Sequence, residues 1–354
     1  MKQHKFPYKW TLKNALFTKD KGKVFSCFAC GGGSTMGYKL AGYDVIGCNE
    51  IDPRMNEIYV KNHNPKYNFL CDIRDMVKRD DLPDELYHLD ILDGSPPCSS
   101  FSICGSREDG WGKEKYFREG QTAQVLDTLF FDFIDLAKKL QPKIVVAENV
   151  KGLILGDAKK YVTRIFHEFE NAGYKTVLTL CNSASMGVPQ KRERTIFLAV
   201  REDLMQKIPT DGLWGEPCID LNFSETEIPW KEVNTHVNDR PLPEQKYNLW
   251  KLRQDGDIDL SRCCERNGEN PNKFFNSKFI YDDKVANTIA GKDLCIIFNE
   301  GRFRNKEEIV LCSTFPLDYD FGSQKVDYIC GMSVPPVMMA QIATRVWEQW
   351  LSKM

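Results

Sequence analysis

The stretch that decides the fold is "GKVFSCFACGGGSTMGYKLAGYDVIGCNEIDP", residues 22–53. It opens with a short apolar run over residues 24–28, passes through Gly31, Gly32 and Gly33, and takes helical spacing over residues 37–41. A second apolar run over residues 45–48 then ends in Glu50 and Asp52. Strand, glycine turn, helix and strand in that order make a βαβ unit. Consecutive glycines between a strand and a helix let the backbone approach a ligand closely at the helix N-terminus. An acid about 20 residues beyond the turn, here Glu50, stands where such units hold ribose hydroxyls.

Working outward, strand runs recur at residues 67–71, 89–92, 144–147, 175–181 and 195–200, and helical patterns at 128–140 and 158–173 fall between them. This alternation predicts an α/β fold with a doubly wound, mostly parallel sheet. Beyond residue 200 the texture changes: residues 201–300 are rich in Pro, Asp, Asn and Glu and carry Trp214, Trp230 and Trp250. A domain boundary is expected there. Residues 337–351 form an amphipathic helix that can return to the first sheet. The expected organisation is therefore a domain of residues 1–200 completed by 325–354, with a smaller domain over 201–324.

Composition narrows the class. With 42% hydrophobic and 28% charged residues in 354, the chain reads as an ordinary soluble protein. It has no apolar run of about 18 residues to cross a bilayer. The basic N-terminal segment lacks the apolar core of a secretory signal. Thirteen cysteines, an odd number, suit free thiols in a reducing compartment. Cys27 and Cys30 in CxxC spacing, with the adjacent Cys263 and Cys264, fall short of two spaced ligand pairs, so no metal is expected. A net charge of -2 gives no general basic field, and a nucleic-acid partner would have to use a local patch.

The chemistry lies in later segments. In "LDGSPPCSSFS", residues 92–102, two prolines hold the backbone straight just before Cys98, so the thiol is aimed. "VVAENVKGL" puts Glu148 at the end of an apolar strand, "GVPQKRERTIFLAV" carries Gln190, Arg192 and Arg194, and "GMSVPP" carries Ser333 and Val334. Taken singly, these are a buried cysteine, a strand-end acid and a solvated charge run. In this order, together, they resemble the DNA cytosine-5 methyltransferase family. The family's first motif appears as Phe28-Ala29-Cys30-Gly31-Gly32-Gly33 followed by Gly37, Ala41 and Gly42, and its acidic positions match Glu50 and Asp72. Its nucleophile motif matches Pro97, Cys98, Phe101 and Ser102. Its Glu-Asn-Val motif matches Glu148, Asn149 and Val150. The resemblance covers residues 24–200 and 285–351. Three positions depart from it: the family usually has Asp where Ser26 stands, Gly where Cys30 stands and Asn where Met332 stands.

The resemblance implies a Rossmann-like class I methyltransferase fold with a smaller target-recognition domain, and S-adenosylmethionine as cofactor. The implied cofactor residues are Phe28, Ala29, Gly31, Gly32, Gly33, Glu50, Ile51, Asp72, Ile73, Pro97, Ser333 and Val334. Pro97, Ser99, Gln190 and Arg194 fall to the base and the DNA. Cys98 is the implied nucleophile at cytosine carbon 6, Glu148 the proton donor to the ring, Arg192 the positive group beside the thiolate, and Arg194 the contact to cytosine O2. Such chemistry needs the base flipped out of the duplex. The aperiodic residues 99–124, with Trp111 as wedge or loop anchor, read as a loop closing over that base. The implied setting is a monomer in the cytoplasm of a bacterium or of phage origin, acting on double-stranded DNA at the nucleoid. A separately encoded restriction endonuclease is the further partner the family suggests. The same motifs serve tRNA-directed relatives, and a catalytically silent DNA-binding homologue would keep them too. A nicotinamide-dependent oxidoreductase would explain the glycine turn and Glu50 but not the Pro97-Cys98 pair. Acids and bases nearly balance in the middle segment, so the recognition sequence is not legible there.

Overall fold

The structure, a computed structural model, describes residues 4–97, 128–155, 158–212 and 215–354. The expected βαβ unit is present as β1 (Lys23–Cys27), α1 (Gly33–Leu40) and β2 (Asp44–Glu50). It is followed by α2 (Pro53–His63), β3 (Tyr67–Leu70), α3 (Ile73–Lys78), β4 (Ile91–Gly94), α4 (Leu129–Leu140), β5 (Ile144–Val150), α5 (Lys159–Asn171) and β6 (Tyr174–Asn182). The two-residue β7 (Gln190–Lys191) precedes β8 (Glu193–Arg201). Among the described residues a seven-stranded sheet runs β3-β2-β1-β4-β5-β8-β6. All its pairs are parallel except those of β8, which is antiparallel to both neighbours. This is the doubly wound sheet that the alternation predicts.

The sequence dictates these elements locally. In α4 the buried Leu129, Phe130, Phe133, Ile134, Ala137 and Leu140 fall at helical spacing, and in α5 Tyr161, Ile165 and Phe169 fall one turn apart. Phe130 meets Phe169 and Phe197 edge-on at centroid separations of 6.3 and 5.3 Å, which ties both helices to β8. The β4 chain end is glycine for a steric reason: a Cβ on Gly94 would lie 2.6 Å from the Phe133 ring.

Contacts divide the chain into two compact units. One comprises residues 16–182, 193–222 and 339–354, the other residues 1–15, 183–192 and 223–338. This differs from the boundaries read from sequence, 1–200 with 325–354 and 201–324. Residues 201–222 stay with the sheet because Asp220 bonds the Gln349 side chain and Cys218 O accepts Trp350 Nε1. Residues 1–15 belong to the smaller unit, where Trp10 Nε1 donates to Thr314 O at 3.0 Å. Residues 183–192 join it as well, through side chains described below.

The smaller unit holds α6 (Glu244–Trp250), α7 (Ser261–Arg266), the short strands β9 (Phe279–Ile280), β10 (Ala286–Asn287) and β11 (Ile296–Ile297), then α8 (Lys306–Cys312) and α9 (Val326–Met332). Leu242, Leu249, Leu260, Cys263, Cys264, Phe279 and Ile296 form one apolar cluster. α10 (Pro336–Gln349) follows, and then a single 3-10 turn over Leu351–Lys353. Every described cysteine is a free thiol, and among the described residues no helix is long and apolar enough to cross a membrane.

Candidate active site

The carboxyl ends of β1, β2, β4 and β5 carry the residues expected to act. At the end of β1 the chain turns sharply: Phe28 and Cys30 have φ of 52° and 46°, and Gly32, which caps α1, has φ of 76°. A Cβ on Gly32 would lie 2.1 Å from His63 Nε2, so both conformation and space demand glycine. Glu50 closes this turn. Its Oε2 accepts from Cys30 N at 2.7 Å, and its Oε1 accepts from the amides of Ile51 and Asp52, each at 2.9 Å. Burial pushes the Glu50 carboxyl above its ordinary range, against the pull of those three amides.

Ala29 and Ile73 are buried, and Ile51 is exposed. Asp72 caps α3 and also takes the Arg74 guanidinium on both oxygens, at 3.0 and 2.6 Å. In the smaller unit, Val334 is buried, and the buried Ser333 hydroxyl has no hydrogen-bond partner among the described residues. Met332, which replaces the family asparagine, is exposed. An open depression of 530 Å³ lies at the opposite edge of the sheet, where the strands begin. Lys19 pairs there with Asp44, and Lys143 with Asp90, at 2.9 and 2.7 Å, so that depression is a place of matched charges.

The decisive juxtaposition is between β4 and β5. Gly94 is the register partner of Ala147, so the "SPP" run leaves β4 beside Glu148. Asn149 Nδ2 donates to Pro96 O at 3.1 Å, which ties the proline run to the Glu-Asn-Val strand. Thr195 Oγ1 on β8 donates to Asn149 O at 3.0 Å. Arg194 Nε meets Glu148 Oε1 at 2.7 Å, with side chains only 14% and 10% exposed. Glu148, Asn149, Pro96, Pro97 and Arg194 are thus assembled at one strand end. Cys98 and Ser99, together with the 99–124 loop and Trp111, lie outside the described residues.

Gln190 and Arg192 of the Gln-x-Arg-x-Arg run lie in the smaller unit. Gln190 is fully buried, and its amide is spent on backbone: Oε1 accepts from Ile289 N at 2.9 Å and Nε2 donates to Cys312 O at 3.1 Å. Arg192 is buried too, donating to the carbonyls of Ile289 and Gly331 at 3.3 and 2.9 Å. Both residues bracket the smaller unit. The side-chain hydrogen bonds described for both residues run to backbone groups of that unit.

The model of the C-5 cytosine-specific DNA methylase family matches residues 22–348. The chain belongs to this family. Type II methyltransferase M.FnuDI of Fusobacterium nucleatum is 37% identical over 234 residues, 65% of this chain and 56% of that protein. Type II methyltransferase M.NgoPII of Neisseria gonorrhoeae is 32% identical over a stretch spanning 61% of its length. The chain therefore spans between half and two thirds of these methylases. Type II methyltransferase M.NgoFVII of Neisseria gonorrhoeae is matched more fully, at 30% identity over 95% of this chain and 89% of that protein. The solved structure of the S. pombe Dnmt2 methyltransferase shares the fold, with a TM-score of 0.60 at 14% identity over 92% of this chain and 98% of that one.

Two further residues of β4 and β5 make contacts that the sequence does not announce. Asn149 is part of the Glu-Asn-Val motif, and only the fold brings it to Pro96. Asp93 is an acid in the apolar run of β4, which is itself a signal.

Proposed function

We propose that this chain is a DNA (cytosine-5-)-methyltransferase, of the EC 2.1.1.37 type, that acts on a flipped-out cytosine in a specific duplex sequence. The observation that carries the reading is the tie of Asn149 to Pro96 beside the Glu148–Arg194 pair. It joins the segment leading to Cys98 to the two side chains suited to grip a cytosine edge.

S-adenosylmethionine, when bound, supplies an electrophilic methyl group. The turn residues Phe28, Ala29, Gly31, Gly32 and Gly33, with Glu50, Ile51, Asp72, Ile73 and Pro97, hold it in the sheet unit. A turn whose Gly32 position admits only glycine, and a strand-end carboxylate, suit this group. Cys98 as thiolate adds to carbon 6, forming a C–S bond and pushing charge toward N3, where Glu148 delivers a proton. Arg194 donates to the cytosine O2 and keeps Glu148 oriented. Carbon 5, now electron-rich, takes the methyl group, then loses its proton to a base, and Cys98 leaves by β-elimination as N3 returns its proton to Glu148. The smaller unit selects the target sequence, and double-stranded DNA is the partner. A cognate endonuclease, a monomeric state and a bacterial cytoplasm complete the reading.

The test is expression in a host lacking cytosine methylation, followed by bisulfite sequencing of host DNA and of tRNA. Methylated cytosines at one short motif in DNA, absent with Cys98→Ser, are the expected result. Unmodified DNA from folded wild-type protein, or modification confined to tRNA, would overturn the proposal.

A further inference from the structure

Ser26 and Asp93 are register partners on β1 and β4. Asp93 is only 2% exposed, and its described partners are three hydroxyls: Ser26 Oγ and Ser34 Oγ each donate to Oδ2 at 2.8 Å, and Tyr38 OH donates to Oδ1 at 3.3 Å. Ser34 lies in the first turn of α1, immediately beyond the glycine turn, and Tyr38 lies one turn further along. Asp93 itself is followed by Gly94, Ser95, Pro96 and Pro97, which lead to Cys98. One carboxylate therefore belongs to the strand that delivers the nucleophile and is bonded to the helix that carries the cofactor turn. Burying a carboxylate on neutral donors costs free energy, and apolar packing at this place would not.

We propose that Asp93 is a positioning residue that couples the cofactor turn to the nucleophile segment, standing on β4 in place of the acid that Ser26 lacks on β1. The inference rests on the methyltransferase reading. Its mechanical content is specific. The sulfonium methyl group and the carbon 5 of a base held by Cys98 must meet within a fraction of an ångström, and small misplacements cost rate steeply. Bonds from one carboxylate to Ser34 and Tyr38 fix the start of α1 against the end of β4. Because Ser26 and Asp93 are paired across adjacent strands, an acid at either position reaches the same buried space between β1, β4 and α1, and a serine at the other can donate to it.

A carboxylate swap tests this. Three proteins are compared: wild type, Asp93→Ser, and the double variant Ser26→Asp with Asp93→Ser. Each is measured for its thermal midpoint, for S-adenosylhomocysteine affinity by calorimetry, and for kcat and KM in methyl transfer to DNA. Asp93→Ser is expected to weaken S-adenosylhomocysteine by about tenfold or more, the scale of losing hydrogen bonds to a charged group, and to lower kcat as well. The double variant is expected to recover both to within about threefold, a coupling that a merely structural loss would not show. If Asp93→Ser fails to fold, a folded and active double variant still supports the coupling. Asp93→Ser with wild-type affinity and kcat sinks the proposal, as does a double variant no better than the single one. Wild-type protein that neither binds S-adenosylhomocysteine nor methylates DNA strikes the methyltransferase reading itself, which the same titrations reveal first.

Discussion

Two pairs of buried acids, one pair in each unit, are satisfied in opposite ways. In the smaller unit Asp293 takes the Arg304 guanidinium on both oxygens at 2.6 and 2.8 Å, and Glu308 takes Arg302 on both oxygens at 2.8 Å, with all four side chains essentially inaccessible. Each charge has a matched counter-charge. In the sheet unit Glu50 rests on three backbone amides and Asp93 on three hydroxyls. Burial pushes both of these carboxyls up, Asp93 to about 6 despite the bonds from Ser34, Ser26 and Tyr38, with the Glu148 charge adding to the rise. Matched pairs hold a fold in one register. The acids on neutral donors stand instead at the carboxyl ends of β2 and β4, beside the glycine turn.

The largest effect that could break this comparison is in the smaller unit. Arg304→Ala leaves Asp293 buried and unpaired, and a loss of about 3 to 5 kcal/mol is expected in urea denaturation. A loss under about 1 kcal/mol, the range of exposed pairs, would show that the pair is no anchor.

Next is the pH dependence of Asp93. Its folded pKa lies above that of an unfolded aspartate, so the stability it contributes is fully present below about pH 4 and is lost as pH rises through about 6. Relative to wild type, Asp93→Asn should therefore gain on the order of 3 kcal/mol between pH 4 and pH 7.5, measured by paired urea melts. A difference that stays flat across that window would mean the carboxyl is not held above its unfolded value. Glu50→Gln is a smaller and different change. One amide oxygen cannot serve donors on both sides, so S-adenosylhomocysteine affinity should fall about tenfold with little change in thermal midpoint. Unaltered affinity in calorimetry would remove Glu50 from the cofactor site.

Most of the sheet was legible because its strands are apolar runs and its helices keep strict spacing. The run read at 24–28 became Lys23–Cys27, and that read at 144–147 became Ile144–Val150. The start of α1 was missed by four residues, since Gly33 and Gly37 look like breakers, yet Met36 and Tyr38 bury their side chains and hold the helix. The run from Gln190 to Arg194 does not continue as one strand. The chain leaves β7 after Lys191 and starts β8 at Glu193, and only Arg194 joins Glu148. Asp93 stands out as an acid in an apolar run, but the group it meets is not legible. Its partner Ser26 lies on a strand adjacent in space but distant in sequence, and no local pattern announces a register between β1 and β4.

The smallest effect concerns Cys30, where this chain departs from the family glycine. Its φ of 46° is left-handed, a region that costs a residue with a Cβ about 1 kcal/mol or slightly more. Cys30→Gly removes that strain but adds freedom to the unfolded chain, an opposing cost of similar size, so the net change in stability should be under about 1 kcal/mol. The ligand-bound state separates the two contributions. If the cofactor turn is already held in its working shape by the Cys30 N to Glu50 bond, the glycine variant should bind S-adenosylhomocysteine within about twofold of wild type, since that backbone amide is retained. Combined with Glu50→Gln, it should lose more affinity than the two single changes add up to, because the freed turn then has neither side-chain constraint nor carboxylate anchor. Strict additivity in that cycle would show that Glu50 and the strained backbone act independently, and that the turn is shaped by its packing on His63 alone.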